Sequence, residues 1–301
     1  MKALVLGAGG QLGSDLVRLL PGAVAMTREQ LSVTDAAALR GALERHRPEV
    51  VFNCAAYNPV DKAETEPEQA LAVNSDGAFN AAAACRSLGV VLVHYSTNFV
   101  FDGRLDRPYL ESDAVGPLGA YARSKADGER RVLAEHPAAL IIRTAALFGG
   151  IGSRAKGGSF PDRIVRAARD GRPLAVVADQ KVNPTYTRDL AEASIELASS
   201  GMAGLVHVVA DGCCGWDEFA RAALSECGVD WPVESVSTSA SAGVEALARR
   251  AEGLGRPAPC RRIKKLGPGD FSTPAPCLAA GGEVLIKEVG AQLVARLALS
   301  V

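Results

Sequence analysis

Along the first two-thirds of the chain the apolar positions keep two alternating rhythms. Short runs rich in β-branched residues, at 2–6, 23–26, 50–53, 90–95 and 139–143, predict buried strands. Between them, 12–20, 36–46, 66–88 and 121–134 carry apolar residues at helical spacing. Strands alternating with helices predict βαβ units, hence a doubly wound α/β domain around a parallel sheet of the Rossmann kind.

After residue 149 the rhythm changes. A glycine-rich stretch at 149–158 precedes a helix-like 160–170 and a strand-like 174–177, and 189–199 and 216–226 read as further helices. The expected organisation is a dinucleotide-binding domain over 1–150 and a smaller lobe over 151–301. The chain is also expected to return to the sheet somewhere in 174–210, with 207–210 as the candidate strand. Residues 228–301 stay unassigned: 235–241 is low in complexity, and a proline-broken basic cluster from Arg249 to Lys265 reads as a solvated surface.

Composition excludes several function classes. With 301 residues, 48% hydrophobic and 22% charged, the chain can bury a large core. A net charge of −1 gives no electrostatic reason for a nucleic-acid or anionic-membrane partner, so any phosphate recognition is local. The opening apolar run is too short for a signal segment and no stretch is long enough to span a bilayer, so a cytoplasmic location is expected. Seven scattered cysteines fit reduced structural thiols, not a disulfide framework or a metal site.

Gly7, Gly10 and Gly13, in GAGGQLG, follow the first strand and open the first helix, with Gln11 and Leu12 between them. A tight turn, a close backbone approach to a pyrophosphate and close helix–strand packing each exclude a Cβ, and the helix N-terminus adds N–H donors. The spacing departs from the GxGxxG fingerprint, but its place after the first strand of a βαβ chain predicts a dinucleotide site. The second strand runs into Thr27-Arg28, not into an acidic residue. A hydroxyl beside a guanidinium suits a 2′-phosphate, which favours NADPH over NADH. Asp35 is placed either to accept from the adenine amino group or to cap the helix that starts at residue 36.

Tyr121 and Lys125 stand four residues apart, on one helical face. Hydride delivery to a ketone creates an alkoxide that must take a proton, and a nearby cation is expected to lower the phenol's pKa for that task. A hydroxyl that polarises the ketone oxygen should stand at the end of the preceding strand, where Ser96 and Thr97 are found.

These motifs lie among others: NCAAY at 53–57, VDKAE at 60–64, AVN at 72–74, STNFVFDG at 96–103, RTAALFG at 143–149 and DQKVNPTYTRDLA at 179–191. Together they resemble the dTDP-4-dehydrorhamnose reductases, extended short-chain dehydrogenases that reduce the 4-keto group of a nucleotide-activated sugar. The resemblance runs from residue 1 to about 224. It implies that Thr97, Tyr121 and Lys125 form the catalytic group, that Ala55, Ala56 and Tyr57 line the cofactor cleft by their backbone, and that Asn74 braces the site. It places Ser96, Asn98, Arg143, Gln180 and Thr185 toward the nucleotide-sugar, with a buried structural Arg143 as the alternative. A homodimer paired through helices beside the site is compatible with it, and the chemistry requires no metal.

The departures fall on the sugar-facing parts. Asn98 and Phe99 replace the Asp-Tyr usual after the threonine, Ala146 replaces a tryptophan, and Val182 and Asn183 replace a Gly and a small residue. Two other functions therefore stay open: a cofactor-binding regulatory subunit like the methionine adenosyltransferase β subunit, and a reductase of a ketone carrying no nucleotide.

Overall fold

Alternate residues of each central strand enter opposite cores, and this organises the molecule. In a computed structural model, which describes residues 1–105, 107–151 and 157–238, the first strand β1 (Ala3–Leu6) sends Leu4 and Leu6 to one face and Ala3 and Val5 to the other. It leads into α1 (Gln11–Leu19), β2 (Val24–Met26), α2 (Ala36–His46) and β3 (Val50–Asn53). Helices α3 (Pro67–Leu71) and α4 (Gly77–Leu88) precede β4 (Val91–Thr97), and α5 (Ala120–Glu135) precedes β5 (Leu140–Thr144). All five strands lie within two residues of the expected positions, in a parallel sheet that β10 (Gly204–His207) completes in the order β10-β5-β4-β3-β1-β2.

The sheet's sixth member, β10, pairs in parallel with β5, so the returning strand begins three residues before the stretch read from the sequence. One core joins α2, α4 and Val132 of α5 to the sheet. The opposite core packs Leu12 and Leu16 of α1 and Leu190 and Leu197 of α7 (Thr187–Ser199) on it. The order reverses direction beside β1, which opens a crevice at the carboxyl ends of β1, β3 and β4.

The span 66–88 is not one helix. A π-helical turn, Ala72–Asp76, separates α3 from α4. Beyond β5 come β6 (Leu147–Phe148), α6 (Phe160–Arg169), β7 (Leu174–Val177), β8 (Lys181–Val182) and β9 (Thr185–Tyr186). After β10 follow β11 (Cys214–Gly215), α8 (Trp216–Glu226) and β12 (Val233–Val236). The 174–177 strand pairs with β12 and not with the main sheet, because α6, α8 and β7 bury Ile164, Val165, Leu174, Val176, Ala220 and Leu224 in a core of their own. Ser235 and Val236, in the stretch read as low in complexity, belong to β12. The basic cluster at 249–265 lies outside the described residues. Among the described residues no helix is long and apolar enough to cross a membrane.

Candidate active site

The crevice widens into a cavity of about 810 Å³, lined both by the main sheet's strand ends and by the smaller lobe. The loop after β1 forms its floor with Gly7, Gly10, Gln11, Leu12 and Gly13. Gly7 has φ +72°, and a Cβ there would stand 2.8 Å from the Ala55 backbone nitrogen; a Cβ on Gly13 would collide with the Gly7 carbonyl oxygen. Helix α1 starts at Gly10 with no side-chain cap and no acid in its first turn, which leaves its N-terminus to a ligand. The Gln11 side-chain oxygen is buried there without a hydrogen-bond partner among the described residues. These features fit a dinucleotide pyrophosphate.

Thr27 and Arg28 line the cavity beyond the end of β2. Asp35 is not among the residues lining it: its Oδ1 accepts from the Ala38 backbone N–H at 2.9 Å, so it caps α2. Ala55, Ala56 and Tyr57 line the cavity from the end of β3. Their backbone is held from behind. Asn74, almost fully buried, accepts from the Tyr57 N–H at 2.9 Å and donates to the Tyr57 carbonyl at 2.9 Å. Asn53 accepts from the Ala55 N–H at 3.2 Å, and its amide meets Nδ1 of His94, which burial keeps neutral.

Helix α5 carries Tyr121 and Lys125 into the same cavity, and β4 brings Ser96 and Thr97, followed by Asn98. The helix is anchored at its start, where the Ala120 N–H donates to Oε1 of Glu64 at 2.8 Å. The Thr97 hydroxyl stands beside the Tyr121 phenol and donates to Asn98 Oδ1 at 3.3 Å. Lys125 Nζ donates to the Tyr95 carbonyl at 2.6 Å. Burial pulls this ammonium down to about 8, opposed by the Glu129 carboxylate. Burial pushes the Tyr121 phenol up to about 12, with the Thr97 hydroxyl pulling the other way. The expected lowering of the phenol by Lys125 is not among the causes of this shift, in which desolvation dominates and Thr97 opposes it.

Two residues expected to face substrate do not. The Arg143 guanidinium is buried and forked on Glu129, with Nε to Oε1 at 2.8 Å and Nη2 to Oε2 at 2.6 Å, so the structural alternative holds. Thr185, also buried, donates to the Asn183 carbonyl at 3.1 Å and accepts from the Ala210 N–H at 3.2 Å. Gln180 does line the cavity, tethered by its amide to Thr238 Oγ1 at 3.1 Å. The sequence reading missed Phe160, Arg163 and Trp216, which reach the cavity from α6 and α8. A usable signal existed: the apolar stripe of α6 is Ile164, Val165 and Ala168, which turns Arg163 away from the lobe's core. No group of three or more His, Cys, Asp or Glu among the described residues could hold a metal ion.

Residues 1–253 match the family described as the RmlD substrate binding domain. The chain belongs to this dTDP-4-dehydrorhamnose reductase family. It is 41% identical over 232 residues to a dTDP-4-keto-6-deoxy-D-glucose reductase of Streptomyces niveus, covering 75% of this chain and 79% of that protein. It is 40% identical over 237 residues to a dTDP-4-dehydrorhamnose reductase of Streptomyces griseus, covering 75% and 76%. Among solved structures it is similar to the dTDP-4-dehydrorhamnose reductase of Bacillus anthracis in complex with NADP, with TM-score 0.76, 33% identity and coverage of 79% and 85%. Against that family's usual motifs, Phe99 meets Tyr121 edge-on with ring centroids 5.9 Å apart, and Ala146 holds φ +43° in the cavity wall.

Proposed function

We propose that the protein reduces the 4-keto group of a nucleotide-activated 6-deoxyhexose with NADPH, as a dTDP-4-dehydrorhamnose reductase or a close relative of one. The observation that carries this reading is the convergence of Thr97, Tyr121 and Lys125 on the cavity that the glycine loop also lines. Gly7, Gly10 and Gly13 make room for the pyrophosphate, Thr27 and Arg28 take the 2′-phosphate, and Ala55, Ala56 and Tyr57 present backbone to the nicotinamide half. When bound, the dinucleotide supplies the hydride. Thr97 orients the ketone oxygen. Tyr121, whose raised pKa keeps the proton on the phenol at neutral pH, gives it to the far more basic alkoxide. Lys125 stabilises the phenolate left behind. Ser96, Asn98 and Gln180 face the sugar.

With Arg143 locked to Glu129, a cation that reaches the cavity from the smaller lobe is Arg163, which suits the diphosphate of such a substrate. A diffusible nucleotide-sugar and dinucleotide fit a cytoplasmic enzyme, and the homodimer expected from the resemblance is checked by the mass of the protein in solution. The deciding assay incubates the full chain with NADPH and several stereoisomers of dTDP-4-keto-6-deoxyhexose and follows NADPH absorbance. Turnover is expected with at least one, and Tyr121→Phe should lower kcat by about 10²–10⁴-fold while NADPH affinity holds. No oxidation with any stereoisomer overturns the proposal.

A further inference from the structure

Helix α5 carries a third functional-looking group on the face of Tyr121 and Lys125. Glu129 stands one turn past Lys125 and is 4% exposed, and its bidentate partner Arg143 is 3% exposed. The Arg143 guanidinium also covers the Phe101 ring, its carbon 4.8 Å from the centroid. Phe101 lines the cavity, and its ring stacks on Tyr109 at 4.2 Å. A continuous chain of contacts thus runs from the catalytic helix through Glu129 and Arg143 to the cavity wall.

Stability alone explains this pair poorly. Desolvating two charges is costly enough that well-packed apolar residues often serve a core as well or better. The neighbourhood suggests what the charge is for. Lys125 faces Cys54 after β3, His94 and the Tyr95 carbonyl on β4, and Glu129 on its own helix. Cys54 is held in its thiol form by burial and His94 is neutral, so the formal anion beside this ammonium is Glu129. Around Glu129 itself stand Arg143 of β5 and His207 of β10, whose ring nitrogen is 3.4 Å from Arg143 Nη1, and the His207 backbone N–H donates to Glu111. Burial biases His207 toward its neutral form.

We infer that Glu129 and Arg143 are positioning residues for the reduction: Glu129 supplies the counter-charge that seats the Lys125 ammonium, and Arg143, locked by Glu129, sets Phe101 in the cavity wall. This rests on the function proposed above. Removing the carboxylate takes away the charge that raises the Lys125 ammonium against its burial, which favours the neutral amine of Lys125, and leaves Arg143 without its bidentate partner.

The test compares wild type, Glu129→Gln, Glu129→Asp and the double variant Glu129→Leu with Arg143→Met, each as the full chain. Two readouts are taken across pH: kcat/KM for the dTDP-keto-sugar, and NADPH affinity by cofactor fluorescence, which needs no substrate. Glu129→Gln should move the alkaline limb of both profiles down by about one pH unit, and Glu129→Asp should restore most of that shift. The double variant should melt near the wild-type temperature yet keep the shifted limb, separating the charge from packing and standing in if Glu129→Gln does not fold. Alkaline limbs that coincide with wild type in the folded variants overturn the inference. A wild type that binds NADPH without reducing any keto-sugar, while the variants still shift that binding, would overturn the proposed function instead and leave the positioning role standing.

Discussion

Asn74 and Ser124 are joined by a 3.0 Å hydrogen bond across 50 residues of chain, the amide of Asn74 donating to the hydroxyl. Ser124 lies between Tyr121 and Lys125 on α5, and the same Asn74 side chain grips the Tyr57 backbone. One buried amide therefore ties the helix that presents the phenol and the ammonium to the strand end that presents backbone to the crevice. Asn74 sits in the π-helical turn, whose extra residue alters the direction of the side chain relative to a regular helix. The turn approaches α5 so closely that a Cβ on Gly128 would collide with the Asn74 carbonyl oxygen.

Gly128→Ala should therefore lower stability by about 2 kcal/mol or more and depress turnover, because the helix must move off the turn that registers it. Gly41→Ala is the control: it lies inside α2 with nothing within 4 Å of a Cβ and should stabilise by roughly 0.5–1 kcal/mol. Thermal melts and kcat of the two variants check the contrast. A Gly128→Ala protein that melts and turns over like wild type would remove the close approach as a constraint.

Much of this is legible in the sequence. Val50, Val51 and Phe52, or Leu140, Ile141 and Ile142, are apolar on consecutive positions, which only a sheet covered on both faces requires, and so the parallel sheet was readable. So was the glycine loop, because its spacing sits between a strand and a helix. Which of the two roles open to Arg143 applies was not legible, because its partner Glu129 is 14 positions away on a different element, a pairing that no local pattern announces. The break at the π turn was hidden because Ala72 to Asp76 contains no glycine or proline to mark it. The destination of the 174–177 strand was set by packing against α6 and α8, not by its own residues.

Asp35→Ala separates the two roles open to that carboxylate. Loss of the bond to the Ala38 N–H should cost about 1 kcal/mol in denaturant unfolding, with NADPH affinity unchanged. A weakened cofactor affinity at constant stability would return Asp35 to the adenine site.

Two arginines should divide the cavity between its ligands. Arg28→Ala is expected to weaken NADPH binding by about 10–100-fold and to leave NADH binding untouched, since only the 2′-phosphate distinguishes them. Arg163→Ala should raise KM for the nucleotide-sugar by roughly tenfold with kcat nearly constant, the mark of lost uniform binding. Titrations of each cofactor and steady-state kinetics with the sugar varied give the two results, and an Arg163→Ala enzyme with unchanged KM would place the diphosphate elsewhere.

Lys125 sets activity and stability against each other, and the sign follows from its folded pKa of about 8 against an ordinary value of 10.5. Below pH 8 the group is protonated both folded and unfolded, so folding bears the full cost of burying the cation, about 3 kcal/mol. Between the two values the unfolded chain binds a proton that the folded one does not, so stability rises with pH through that window and levels off above it. Lys125→Met removes the cation and, after loss of its bond to the Tyr95 carbonyl, should still stabilise by about 1–2 kcal/mol near neutral pH. The gain should shrink as pH climbs from 8 toward 10.5, because wild type sheds its own penalty there. Turnover runs the opposite way: wild type should lose activity above about pH 8 as the ammonium is lost, and Lys125→Met should be inactive throughout. Melting curves of both proteins across this pH range decide the matter, and a difference between them that does not vary with pH would show that the buried amine is not the group titrating.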